Sequence, residues 1–158
     1  MPNPKKSSPQ LSHLDARGTA RMVDVGAKPV VFRRAAAAGT LVCQAATIRL
    51  LKKQALPKGD VLAVARIAGI QAVKRTADLI PLCHPLPLTK IALDFRIRAT
   101  AVEIACTVET EARTGVEMEA LTGVSVAALT LYDMCKAVDK TMRIEGIQVV
   151  EKIKQAAS

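Results

Sequence analysis

Aromatic residues are nearly missing: the 158-residue chain has no tryptophan, one tyrosine and two phenylalanines. Proteins that grip single-stranded nucleic acid stack bases on aromatic side chains, and Phe32, Phe95 and Tyr132 are too few and too dispersed to form such a platform. Long apolar runs are missing as well, because charges interrupt each hydrophobic stretch well short of a membrane span. The four cysteines, Cys43, Cys83, Cys106 and Cys135, include no CxxC pair and sit singly in apolar stretches. That pattern suggests reduced thiols in a cytoplasmic protein rather than a disulfide frame or a zinc site. The eight glycines form no Walker-type phosphate loop. Acidic residues number 14 against 23 basic ones, and the net charge of +9 points to an anionic partner. With neither stacking aromatics nor a zinc finger, a small polyphosphate fits that charge at least as well as nucleic acid.

What is present is a half-hydrophobic sequence, enough for one domain with its own core. The opening MPNPKKSSPQ has lysines with no apolar run behind them, unlike a secretory signal. Residues 1–10 read as a disordered tail ahead of a single domain spanning 11–158. Residues 22–42 look extended, and 45–56 have helical spacing up to Pro57. Lys58-Gly59-Asp60 then opens a second helix, with Asp60 near the positive end of its dipole, running to about Ile80 and stopped by Pro81. The proline-rich PLCHPLPL can only be a stiff, extended connection. A hairpin follows, in which Ile91, Leu93, Phe95 and Ile97 on one strand and Val102, Ile104, Cys106 and Val108 on the other alternate with polar or small residues. A long helix and a last strand, 144–153, close the chain. The order strand, helix, helix, hairpin, helix, strand predicts an α+β sandwich, an antiparallel sheet with its helices mainly on one face.

The long helix, read over 114–140, carries the most information. It is apolar nearly all round, yet at about 100° per residue Glu119, Thr122, Asp133, Lys136 and Lys140 fall in one narrow arc. Two readings stand equal. Either the charges are buried and put to use, since unpaired burial costs several kcal/mol, or the helix edges the core and Asp133 and Lys136 form an ordinary exposed (i, i+3) pair. Its small residues (Ala120, Gly123, Ser125, Ala127, Ala128) would admit close backbone approach, to the sheet or to the same helix of a neighbouring subunit. Glu119 and Asp133 lie about 21 Å apart along the axis, so if both serve one small site, that site is shared between subunits.

Elsewhere, His84 is held in the rigid loop between Cys83 and Pro85, a place where functional side chains are often displayed. A histidine satisfied by backbone carbonyls is the simpler account of it. A Cys83/His84 metal site lacks further ligands. Lys58, Arg66, Lys74, Arg75, Lys136 and Lys152 would bind phosphates if several converge; solvated surface lysines are the plainer reading.

The segments MVDVGAK, GDVLAVARIAGIQAVKRTADLIPLCHPLPL and TGVEMEALTGVSVAALTLYDMCKA closely resemble the cyclic pyranopterin monophosphate synthase (MoaC) family of molybdenum cofactor biosynthesis, with likeness from about Leu11 to Lys152. The resemblance implies a ferredoxin-like α+β fold, a cytoplasmic homohexamer built as a trimer of dimers, and active sites at dimer interfaces. It implies a lyase that rearranges 3′,8-cyclo-7,8-dihydro-GTP to cyclic pyranopterin monophosphate and releases diphosphate. We expect no cofactor, no protein-held metal and no nucleic-acid or membrane partner; whether a metal ion assists diphosphate release is left open by the sequence. The resemblance makes Asp133 catalytic, with the motif lysine on Lys136; beside them we read Lys136 as catalytic too and His84 as a proton donor or orienter. Substrate binding falls to Lys58, Lys74, Leu82, Cys83, His84, Met118, Glu119 and Lys152. The chain departs from the family pattern after Lys152, where Ile153-Lys154-Gln155 replaces the usual serines and glycines. Two competing classes make different demands. A nucleic-acid module should lose affinity steeply with salt. A purely structural oligomer should tolerate alanine at Asp133, Lys136 and His84.

Overall fold

Alternating small apolar side chains make β1 (Val31–Val42) the middle of the sheet: Val31, Ala35, Ala37 and Leu41 are buried on one face, with Arg34, Ala36 and Ala38 on the other. The computed structural model describes residues 18–155; the expected tail over 1–10 lies outside them, as do the first and last few residues of the expected domain. After β1 come α1 (Ala45–Lys52), α2 (Val61–Lys74), the single turn α3 (Thr76–Leu79), the hairpin β2 (Leu88–Ile97) and β3 (Ala101–Ala112), α4 (Glu117–Cys135) and β4 (Arg143–Gln155). The strands lie in the order β2-β3-β1-β4, every neighbouring pair antiparallel. With α2 and α4 packed on one face, this is the expected α+β architecture, and its connectivity is that of a ferredoxin-like sandwich.

The hairpin falls into register as its pattern demands, Phe95 opposite Ile104 and Arg96 opposite Glu103. Exposed pairs line it, Arg98 with Glu103 at 2.8 Å and Lys90 with Glu109 at 3.2 Å; being exposed, they favour this register more than they add stability.

Several boundaries differ from the sequence reading. Pairing of the first strand starts at Val31, because residues 22–30 contain a turn in which Gly26 N–H donates to the Asp24 carboxylate at 2.8 Å. The first helix stops at Lys52 rather than at Pro57, and Gln54 follows at φ +51°. The second helix breaks at Arg75, where the Thr76 hydroxyl donates to the carbonyls of Val73 and Ala72 at 3.0 and 3.3 Å and competes with the helical bonding. The long helix is shorter than 114–140 and leaves Lys140 beyond its end.

The small residues of α4 are used inside the chain. A Cβ on Gly123 would lie 2.6 Å from Val73 Cγ2 of α2 and 2.7 Å from Cys106 Sγ of β3, and one on Gly69 of α2 would lie 3.0 Å from the Gly123 carbonyl oxygen. The two helices therefore cross backbone to backbone above β3. Ala120, Val124, Ala127, Ala128 and Leu131 complete that fully buried side of α4.

Candidate active site

Two groups of chemistry-bearing side chains lie at opposite ends of α4. At its C-terminal end, the turn Pro57-Lys58-Gly59-Asp60 brings Lys58 across to the helix. Gly59 takes φ +82°, a conformation that costs glycine little, and Asp60 caps α2 by accepting from Ala63 N–H at 3.0 Å. Lys58 Nζ reaches Asp133 Oδ2 at 2.7 Å, while Lys136 Nζ meets Asp133 Oδ1 at 2.7 Å. Hydrogen bonds from Lys136 and Lys58 hold the Asp133 carboxyl down at about 2, and Asp133 in turn pushes the Lys136 ammonium up. All three side chains are about half exposed in the protomer. Asp133 and Lys136 thus form the exposed (i, i+3) pair of the plainer reading, with a third member, Lys58, that helical spacing could not reveal.

At the other end, a 480 Å³ cleft is lined by Leu82, Cys83 and His84 of the proline-rich loop, by Glu117, Met118 and Glu119 of α4, and by Lys28. His84 and Glu119 also border a 120 Å³ recess that includes Lys74. Glu119 is only 4% exposed, and burial raises its carboxyl above the ordinary value, with the neighbouring Glu117 adding to the rise. The Cys83 thiol is pushed up by burial and then by Glu119, which makes it a poor nucleophile. Lys152 of β4 forms an ion pair with Glu117 in the first turn of α4, where acidic side chains favour the helix dipole.

The polar stripe therefore divides. Glu119 is buried at one end, Asp133 and Lys136 are exposed at the other, and Thr122 between them donates its hydroxyl to the Met118 carbonyl at 2.7 Å. Lys58, Asp133 and Lys136 are brought together, as are Lys74, Leu82, Cys83, His84, Met118 and Glu119, with Lys152 beside them. The two sets do not meet within one protomer. Glu117 and Lys28 escaped the sequence reading: Glu117 lies on a different arc of α4 from the stripe, and Lys28 lies in a segment read as strand. The acidic first turn of α4 was the one available signal for Glu117.

A larger concavity, 620 Å³, lies elsewhere, on the open face of the sheet around Ala38, Ala105, Asp94 and Gln148. None of the candidate site residues lines it. Among the described residues no three His, Cys, Asp or Glu side chains converge as metal ligands, and no helix is long and apolar enough to cross a membrane.

Comparison with known proteins gives this geometry a family. The MoaC family model matches residues 22–155, a span that includes both groups. The chain belongs to the MoaC family. Its relatives include the cyclic pyranopterin monophosphate synthases of Chloroflexus aggregans, 60% identical over 90% of this chain and 88% of the relative, and of Thermomicrobium roseum, 59% identical over 90% and 87%. The MoaC-like chain also matches the molybdenum cofactor biosynthesis bifunctional protein of Chlorobaculum tepidum, 56% identical over 90% of this chain and 46% of that longer protein.

Proposed function

We propose that this MoaC-family chain is a cyclic pyranopterin monophosphate synthase. It is a lyase that converts 3′,8-cyclo-7,8-dihydro-GTP to the cyclic monophosphate with loss of diphosphate, a step of molybdenum cofactor biosynthesis. The observation that carries this reading is the identity of about 60% along nine-tenths of the chain to enzymes of that name. The two groups carry chemistry in keeping with it, an exposed pair of lysines around Asp133 for phosphates and a recess where a buried acid adjoins a histidine and a lysine.

The active enzyme is read as a homohexamer, a trimer of dimers, with each site at a dimer interface. The support is geometric. Asp133 and Glu119 sit about 21 Å apart on one rigid helix, so a single nucleotide can use both only if they come from two protomers. In such a seam Lys58, Lys74 and Lys152 hold the triphosphate, and preorganised cations stabilise the leaving diphosphate. Asp133 serves as base and Lys136 steadies it. A carboxylate clamped by two ammonium groups is a weak base, so the phosphates must draw Lys58 away before Asp133 can accept a proton. His84 donates or orients a proton, while Glu119 and Met118 contact the purine-derived ring, with Leu82 and Cys83 walling the cleft.

The decisive experiment is incubation of the purified chain with 3′,8-cyclo-7,8-dihydro-GTP, following diphosphate and the pterin product; absence of both refutes the activity. Mixing then tests the shared site. Asp133→Asn and His84→Ala chains, each inactive alone, should regain roughly a quarter of wild-type turnover when unfolded and refolded together, as random pairing of complementary halves requires. No recovery on mixing would place each site within one protomer.

A further inference from the structure

Among the described residues the most enclosed acidic side chain is Asp139, which is 2% exposed. It lies just beyond α4 and accepts four hydrogen bonds. Oδ2 takes the Gln44 backbone N–H at 2.8 Å and the Thr47 hydroxyl at 2.9 Å, and Oδ1 takes the N–H and hydroxyl of Thr141 at 2.9 and 2.8 Å. Gln44 is the N-cap residue of α1, and its own side chain makes no capping bond. The carboxylate that follows α4 therefore ties down the start of α1 through the Gln44 N–H and the Thr47 hydroxyl, at the helix end where an anion is favoured.

Lys58 does the converse. It follows α1, and its ammonium donates to the Asp133 backbone carbonyl in the last turn of α4 at 3.2 Å as well as to the Asp133 carboxylate. A cation suits that carbonyl-rich end. Each helix is thus closed by a charge borne on the segment that leaves the other helix. α1 has only eight residues, too few for a stable helix of its own, so where it ends, and where residues 53–60 begin, depends on how its first turn is anchored.

We propose that Asp139 is a positioning residue for the reaction: by anchoring α1 to the end of α4 it sets the path that delivers Lys58 to the site beside Asp133, where it meets the substrate phosphates. This rests on the reading of Lys58 and Asp133 as site residues. Asp139 acts through Lys58 and does not itself touch substrate.

The test is a double-variant cycle on the full-length enzyme, assayed well below the Tm of every variant. Asp139→Asn keeps the shape of the side chain but exchanges one acceptor oxygen for a donor. It should lower kcat by about tenfold or more, as a misplaced catalytic group does. In a Lys58→Ala background the same change should alter kcat by less than about twofold, because the residue it positions is gone, while the Tm loss it causes persists. If the two losses multiply, or if Asp139→Asn lowers Tm and leaves kcat whole, the positioning role is overturned. If Lys58→Ala and Asp133→Asn both keep full turnover, the site reading itself fails, an outcome distinct from the first two. Should Asp139→Asn not fold, Thr47→Val removes one donor and keeps the carboxylate. Its kcat loss, smaller but of the same kind, should likewise vanish in the Lys58→Ala background, and persistence of that loss refutes the inference.

Discussion

Lys58 grips Asp133 at two points, the side-chain carboxylate at 2.7 Å and the backbone carbonyl at 3.2 Å. The pairing joins residues 75 positions apart in sequence and makes the loop after α1 part of the site at the end of α4. Replacing Asp133 by Asn keeps the shape and the carbonyl contact but removes the charge and, with it, the proposed base. Turnover should fall at least about 100-fold with little change in Tm or assembly, measured by product formation, thermal melting and sedimentation. Activity near that of wild type would remove Asp133 from the role.

Acid should weaken the fold through Asp139. Burial alone would raise the Asp139 carboxyl, but hydrogen bonds from Gln44, Thr141 and Thr47 outweigh it and hold the group at about 2. An acid depressed in the folded state stabilises above its ordinary value of 3.8, and that contribution is lost as pH falls toward about 2. Asp139→Ala should cost at least about 2 kcal/mol at neutral pH, from donors left without a charged acceptor. Denaturant midpoints for wild type and variant should converge as the pH drops from 4 to about 2. A gap that stays constant across that range would refute the linkage.

Glu119 has the opposite sign. Its raised carboxyl prefers the protonated form when folded, so the native state loses stability as pH rises above the ordinary value of 4.5. Glu119→Gln should therefore raise Tm at pH 7, and the gain should shrink to nothing below pH 4.5. The same variant should bind substrate more weakly if Glu119 contacts the ring. Thermal shift at several pH values separates the two effects, and an unchanged or lower Tm at pH 7 would contradict the burial argument.

The helix crossing makes a packing prediction. Gly123→Ala gains about 1 kcal/mol of helix propensity, but the new methyl must displace Val73 and Cys106, which are 1% and 0% exposed. Overpacking of this kind costs about 1–3 kcal/mol, so the net result should be a lower denaturation midpoint. A stabilised variant would mean that α2 and α4 can separate freely.

The sheet and hairpin were legible because alternation and proline placement are local signals, and Asp60 announced α2 by a cap three residues from its donor. The ends of α1 and of the second helix were not, because a hydroxyl at Thr76 and a left-handed Gln54 decide them, and neither breaks an apolar period. Asp133 and Lys136 were visible as a pair through helical spacing, whereas Lys58 as their third member and Glu117 as the partner of Lys152 depend on tertiary register. The stripe itself misled in part. Its residues share an arc, but burial changes along α4: Glu119 is enclosed beside the proline-rich loop, whereas among the described residues Asp133 is left about half exposed.

The backbone contact at Gly69 and Gly123 also makes α4 a stiff lever with its fulcrum near one end. In an assembly with shared seams, each lever would reach into two of them, with Glu119 at the short arm and Asp133 at the long one. Closing one seam on a nucleotide would then tilt the arm that serves the next, and saturation curves would depart from those of independent sites.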